Sequence, residues 1–122
     1  MSFLNPFRII KSFKYAIKGI IYTFKEEQNF RFHIVSAFFV FALMMILDTS
    51  LLEKAFLIFL VGLVIIAELI NSIFERIVDI IRPRLHPYAK KIKDMTAAIV
   101  LIAAMVSFVC GLIIFIPKII VF

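Results

Sequence analysis

Apolar side chains gather along this chain into three long runs, at residues 32–47, 55–74 and 97–116, and the middle run continues with helical spacing to residue 81. None alternates as a half-buried strand would, and each approaches the ~20 residues that a helix needs to cross a hydrocarbon core ~30 Å thick. Ahead of them the pattern changes. Ile10, Phe13, Ile17, Ile20 or Ile21, and Phe24 recur at helical spacing, while Lys11, Lys14, Lys18 and Lys25 gather in a separate sector beside that face. Asn5 followed by Pro6 suits an N-cap with proline at the first helical position. The pattern predicts an all-α membrane protein with an amphipathic surface helix over residues 5–29 and membrane helices over residues 30–47, 55–81 and 94–116. The first helix would lie in the membrane interface, lysines reaching toward anionic headgroups, although a helix packed on protein with a solvated charged face has the same pattern.

Composition agrees with an apolar solvent. The chain is 64% hydrophobic with a mean hydropathy of +1.10, against roughly 45–50% apolar residues in ordinary soluble domains. Its 122 residues allow one domain, residues 1–122. The lone cysteine, Cys110, excludes an intrachain disulfide and falls in an apolar run, where packing explains it. The first 29 residues are not a secretory signal, because lysines interrupt every apolar stretch of the required length. Net charge is +6, and its placement sets an orientation. The connection DTSLLEK between the first two spans is weakly acidic, whereas RPRLHPYAKKIKD after the second holds Arg82, Arg84, Lys90, Lys91 and Lys93. The positive-inside rule then puts that connection and the amino terminus on the cytoplasmic side. Arg82-Pro83 and His86-Pro87 should end the second span, since proline biases its predecessor away from helix. Basic residues near a membrane need no nucleic acid to explain them, and no nucleic-acid partner is expected.

The middle run contains a contradiction. Glu68, Asn71, Glu75 and Asp79 interrupt it at spacings that place all four within about 80° on one helix face. The stripe descends from the cytoplasmic surface into the bilayer, where an ionised group costs several kcal/mol and is by default a functional site. Glu27 falls just before the first span, at the membrane level expected for Glu75. Two carboxylates there suit Mg²⁺, which takes one or two such ligands and completes its shell with water and phosphate oxygens. Plainer readings stand beside these. Asn71 can join helices, Glu75 can pair with a lysine of the surface helix or an arginine of another chain, and Glu27 can pair with Arg31 at i,i+4. Lys93 and Asp94 can be interfacial anchors, His33 is ambiguous, and Ala97, Ala98, Ala103 and Ala104 are candidate helix contacts. No phosphate-binding loop, zinc-ligand spacing or nucleophile elbow is present. An oligomeric cation channel or transporter would also use a polar stripe, but residues 55–66 carry no ionisable group, and that favours a one-sided site over a pore.

KYAIKG, NFRFH, AELINSIFERIVD and HPYAKKIKDMTAAIVLI, in this order and spacing, resemble the prokaryotic diacylglycerol kinase family, which includes the undecaprenol kinases, over nearly the whole chain. The resemblance implies a homotrimeric bundle of the bacterial inner (cytoplasmic) membrane with composite sites between subunits. It would transfer the γ-phosphoryl group of ATP, with Mg²⁺, to a membrane lipid alcohol. It makes Glu68 the proton acceptor, Asn71 the group that orients Glu68 or the substrate hydroxyl, and Glu27 and Glu75 the metal ligands. Nucleotide contacts would come from Arg8, Tyr15, Glu27, Glu75, His86, Lys93 and Asp94. Lipid contacts would come from Arg8, Lys11, Lys14, Lys18 and Glu68. The chain departs from the family in the bulk of Ser72-Ile73-Phe74, in Arg76 where alanine is common, and in Ala98-Ile99 where glycine is frequent. LHPYAKKIKD and KSFKYAIKGI look more like the undecaprenol branch, with diacylglycerol the alternative substrate.

Overall fold

The computed structural model describes residues 3–81 and 87–121. Four helices follow in order: α1 (Pro6–Glu26), α2 (Gln28–Ile46), α3 (Leu51–Ile81) and α4 (Tyr88–Val121). The last three are each long and apolar enough to cross a membrane, so the chain is a multi-pass, all-α membrane protein with a shorter amphipathic helix before its spans. The expected helix break at Arg82-Pro83, and His86, lie outside the described residues.

Asn5 starts α1 as its sequence suggests. Its backbone is extended and its Oδ1 accepts from the N–H groups of Phe7 (3.0 Å) and Arg8 (3.4 Å), with Pro6 in the first turn. The other end is earlier than expected. The helix stops at Glu26, and Glu27, at φ −116° and ψ 112°, serves as C-cap of α1 and N-cap of α2. No glycine or proline marks this corner. Instead Arg31, from the first turn of α2, donates through Nη1 to the carbonyls of Phe24 (2.8 Å) and Lys25 (2.9 Å), meeting the exposed negative end of α1 with a positive charge. Thr23 is the one buried residue of α1, so both its apolar and lysine sectors are open to surroundings that this chain does not supply.

The α3 helix begins at Leu51, four residues ahead of the expected start at 55. Ser50 Oγ accepts from the Glu53 N–H (3.1 Å) and Glu53 Oε1 from the Ser50 N–H (2.9 Å), a reciprocal capping box written as Ser-x-x-Glu. The same Glu53 oxygen meets Lys118 Nζ of α4 at 3.0 Å. α4 likewise begins at Tyr88, and Lys90, Lys91 and Lys93 lie on it, not in a connection. Its first turns are good helix formers, braced by a Lys90–Asp94 pair at 2.9 Å with i,i+4 spacing. Positive charge marked the membrane edge there, not the helix end.

Antiparallel packing follows from the cross-helix contacts. Glu27 meets Arg76 and His33 meets Glu68 near one end of the bundle, while Met44, Leu47 and Leu57 join Phe115 in a buried cluster near the other. Asp79 with Lys93 and Glu53 with Lys118 set α3 against α4 in the same manner. Ala103 and Ala104 are half-buried in the chain, whereas Ala97 and Ala98 are exposed and contact no other helix closely enough to be covered.

Candidate active site on the polar face of the third helix

The polar stripe of α3 turns inward at depth. Glu68, Asn71 and Ser72 are 2%, 4% and 5% exposed, whereas Glu75 is half-buried and Asp79 open. Glu68 lies about 10 Å below Glu75 along the axis, at 1.5 Å per residue. Burying a carboxylate this way is costly unless other groups compensate. His33 of α2 is one such group, its Nε2 standing 3.7 Å from Glu68 Oε2. Asn71 faces Glu68 as well, and the negative charges of Glu75 and Glu27 both act on it. Asn71 Nδ2 donates to Glu75 Oε1 at 3.4 Å, which ties the deep carboxylate to the shallow one. Asn71 Oδ1 is buried with no partner among the described residues. A native bundle seldom leaves such an acceptor without a donor.

Glu27 enters from the α1–α2 corner, whose extended backbone turns it toward α3. Arg76 Nη2 and Nε donate to Glu27 Oε1 at 3.0 and 3.2 Å, and the guanidinium stands over the Tyr22 ring at 5.6 Å from its centroid. This differs from the expected Glu27–Arg31 pair: Arg31 is turned to the carbonyls of α1, while Glu75 accepts from the Asn71 amide of its own helix. Arg76 brings a cation into the acidic cluster.

The donors of this cluster suit a hard divalent cation. All are oxygen atoms: two carboxylates, from Glu27 and Glu75, with the unpartnered Asn71 Oδ1 beside them. Among the described residues no three acids, histidines or cysteines are close enough to enclose an ion unaided. Such a set fits Mg²⁺ arriving with phosphate and water oxygens, the usual mode for that ion, and does not fit a closed protein cage.

The remaining predicted residues stand elsewhere in the chain. Lys93 Nζ pairs with Asp79 Oδ1 at 3.1 Å, joining α4 to the open end of the stripe, and Asp94 pairs with Lys90. Arg8, Lys11, Lys14, Tyr15 and Lys18 are exposed along α1. Arg8 lies about 28 Å along the axis from Glu27, and Tyr15 about 18 Å, too far for either to touch the chain's own carboxylates. His86 lies outside the described residues. Sequence reasoning gave no role to His33 or Arg76. The acidic stripe itself was a signal, because it required a cation or donor from a neighbouring helix, but it did not say which.

A one-sided cluster ending at Glu68, with only apolar residues at 55–66, gives no continuous path for a channel. Comparison with known proteins identifies the architecture. The family description "prokaryotic diacylglycerol kinase" matches residues 14–115. The undecaprenol kinase of Bacillus subtilis (strain 168) is 38% identical over 111 residues, covering 91% of this chain and 90% of the relative. The diacylglycerol kinase of Escherichia coli (strain K12) is 36% identical over 100 residues, covering 82% of each chain, and that of Helicobacter pylori (strain ATCC 700392 / 26695) is 38% identical over 95 residues, covering 78% of this chain and 74% of the relative. With matches spanning α2, α3 and most of α4, the chain belongs to the prokaryotic diacylglycerol kinase family.

Proposed function

We propose that this lipid kinase transfers the γ-phosphoryl group of ATP to undecaprenol, giving undecaprenyl phosphate. The observation that carries the reading is the buried Glu68, held below the Glu27–Glu75 carboxylates at one end of the bundle. Glu68 takes the proton of the lipid alcohol as the alcohol oxygen attacks the γ-phosphorus, Asn71 helps orient the Glu68 carboxylate, and ADP leaves toward the open end. Glu27 and Glu75 would hold Mg²⁺, which would supply neutralisation of the phosphate charge. Lys93, near that end on α4, supplies a further cation for the nucleotide. The alcohol arrives laterally from the bilayer and ATP from water.

Undecaprenol is favoured over diacylglycerol by the resemblance of LHPYAKKIKD and KSFKYAIKGI to the undecaprenol branch and by the reach of the match to the Bacillus subtilis undecaprenol kinase, which covers 91% of this chain against 82% and 78% for the two diacylglycerol kinases above. The test is transfer of labelled γ-phosphate from MgATP by purified protein given each alcohol separately in matched mixed micelles. We expect kcat/KM to be higher for undecaprenol. A value about tenfold higher for diacylglycerol, equivalent to about 1.4 kcal/mol of transition-state preference, overturns the choice.

The protein sits in the inner membrane of a bacterial cell with α1 and the acidic cluster facing the cytoplasm. Lys11, Lys14, Lys18 and Lys25 of α1, with Lys90, Lys91 and Lys93 of α4, concentrate positive charge there, which supports this orientation. It acts as a homotrimer with sites shared between subunits. Support comes from α1, whose Arg8 and Tyr15 are too far from their own Glu27 and Glu75 to serve the same nucleotide, and from the exposed Ala97 and Ala98 on α4. Glu27 and Glu68 come together within one chain, so the informative mixture pairs Glu68→Gln subunits with Arg8→Ala subunits. Mixed oligomers should regain activity that neither variant has alone. Absence of recovery in demonstrably mixed oligomers overturns the shared site.

A further inference from the structure

His33 is the one cross-helix partner of Glu68 among the described ion pairs, and the proposed reaction gives it no task. Its side chain is 13% exposed against 3% for Glu68, so the contact lies almost out of solvent. A carboxylate that is to accept a proton must present one oxygen to the alcohol at about 2.6–3.2 Å in a fixed direction. A glutamate has three rotatable bonds, and the like charges of Glu75 and Glu27 bear on this one and do nothing to hold it. Asn71 follows Glu68 by less than one turn on the same helix and is engaged with Glu75, so it cannot by itself fix the carboxylate across the bundle. An anchor must come from another helix.

We infer that His33 is a positioning residue for the kinase reaction: its Nε2–H holds Glu68 Oε2, leaving Oε1 aimed at the substrate hydroxyl. This deepens the lipid-kinase reading above and rests on it. The present 3.7 Å is an ion-pair distance, longer than a hydrogen bond, and contacts of this kind tighten when a site engages its substrate. Imidazole suits the position because its neutral form still donates, so it can hold a carboxylate without burying a permanent positive charge. The Phe32 ring meets the imidazole edge-on at 5.6 Å and 74°, adding a packing contact. Other contacts also join the two helices: Glu27, just ahead of α2, bonds to Arg76 of α3, and Met44 of α2 packs with Leu57 of α3.

Two substitutions and one spectrum test this. His33→Phe keeps the ring and removes the donor, whereas His33→Gln puts an amide N–H near the place of Nε2. His33→Phe should lower kcat about 10- to 100-fold, the scale of a misplaced reacting group, with both KM values within about twofold. His33→Gln should return kcat to within about fivefold of the wild type, because the donor is restored. A His33→Phe enzyme with kcat within about threefold of the wild type, a loss lying wholly in KM, or a folded His33→Gln as slow as His33→Phe overturns the proposal. If His33→Phe does not assemble, His33→Gln is compared with the shorter His33→Asn, and equal rates overturn it. The spectrum needs no turnover: in protein labelled with ¹⁵N at its two histidines, Glu68→Gln should move the His33 Nε2 resonance. An unmoved resonance overturns the contact itself, while an inactive wild type with a moved resonance overturns only the kinase reading.

Discussion

Glu68→Gln should lower kcat for phosphate transfer to the lipid alcohol by about 10²–10⁴-fold, the usual contribution of a positioned general base. Glutamine has nearly the same shape, and its carbonyl oxygen can still accept from His33 and Asn71, so the variant removes proton acceptance and little else. Nucleotide affinity should hold, because the Glu27–Glu75 end of the cluster lies about 10 Å away along α3. Stability should be unchanged or higher. Glu68 is 2% exposed, and the charges of Glu75 and Glu27 both bear on it, so a neutral side chain removes a desolvated charge and two repulsions together. The expected signature is an intact oligomer in detergent with an equal or raised Tm, normal KM for ATP and a collapsed kcat. Transfer of labelled γ-phosphate within about tenfold of the wild-type rate would remove Glu68 from the role of base.

Glu75→Gln attacks the other end of the site, and the expected effect is larger, a loss of Mg²⁺-dependent turnover by at least about 10³-fold. Two carboxylates, Glu27 and Glu75, hold the metal in the proposed site, and Glu27 already shares its Oε1 with Arg76. Glu75, half-buried and engaged among the described residues by the Asn71 amide at 3.4 Å, is therefore the carboxylate more available to a hard cation than Glu27. Glutamine retains an oxygen that can accept from Asn71, so local geometry persists while the charge is lost. Mg²⁺ titration separates the outcomes: the variant should be folded and should need far more metal for any residual rate. Near-normal turnover at ordinary Mg²⁺ would sink the assignment of Glu75 as a ligand.

Much of the molecule was legible in the sequence because it depends on short-range periodicity. Runs of about 20 apolar residues can satisfy their backbone in lipid only as helices. Asn5-Pro6 specifies a helix start locally, through one side-chain oxygen and two N–H groups. The alignment of Glu68, Asn71, Glu75 and Asp79 on one face needs nothing beyond the helical repeat. The starts of α3 and α4 were placed too late for a different reason. Ser50-x-x-Glu53 and the lysine-rich first turn of α4 are local signals too, but polarity made them look like connections when it marked only where the lipid ends.

What the tertiary structure alone decided is the register between helices. Periodicity fixes how each helix is rotated about its own axis, yet it leaves two antiparallel apolar helices free to slide by a turn with little change in buried area. Sliding α2 by four residues against Glu68 would put Asn29 or Ala37 where His33 stands. The register that places His33 against Glu68 also places Glu27 against Arg76, and it packs Met44 on Leu57 at the far end. Polar groups are few and costly to leave unpaired in lipid, so they select this one alignment from several that apolar packing would tolerate. Arg31 shows the same limit at shorter range. It had Glu27 within i,i+4 reach, but the corner at Glu27 turned α1's carbonyls toward it and freed the carboxylate for α3. Helical spacing sufficed to put the acidic residues on one face of α3, but three-dimensional packing chose the side chains that meet them.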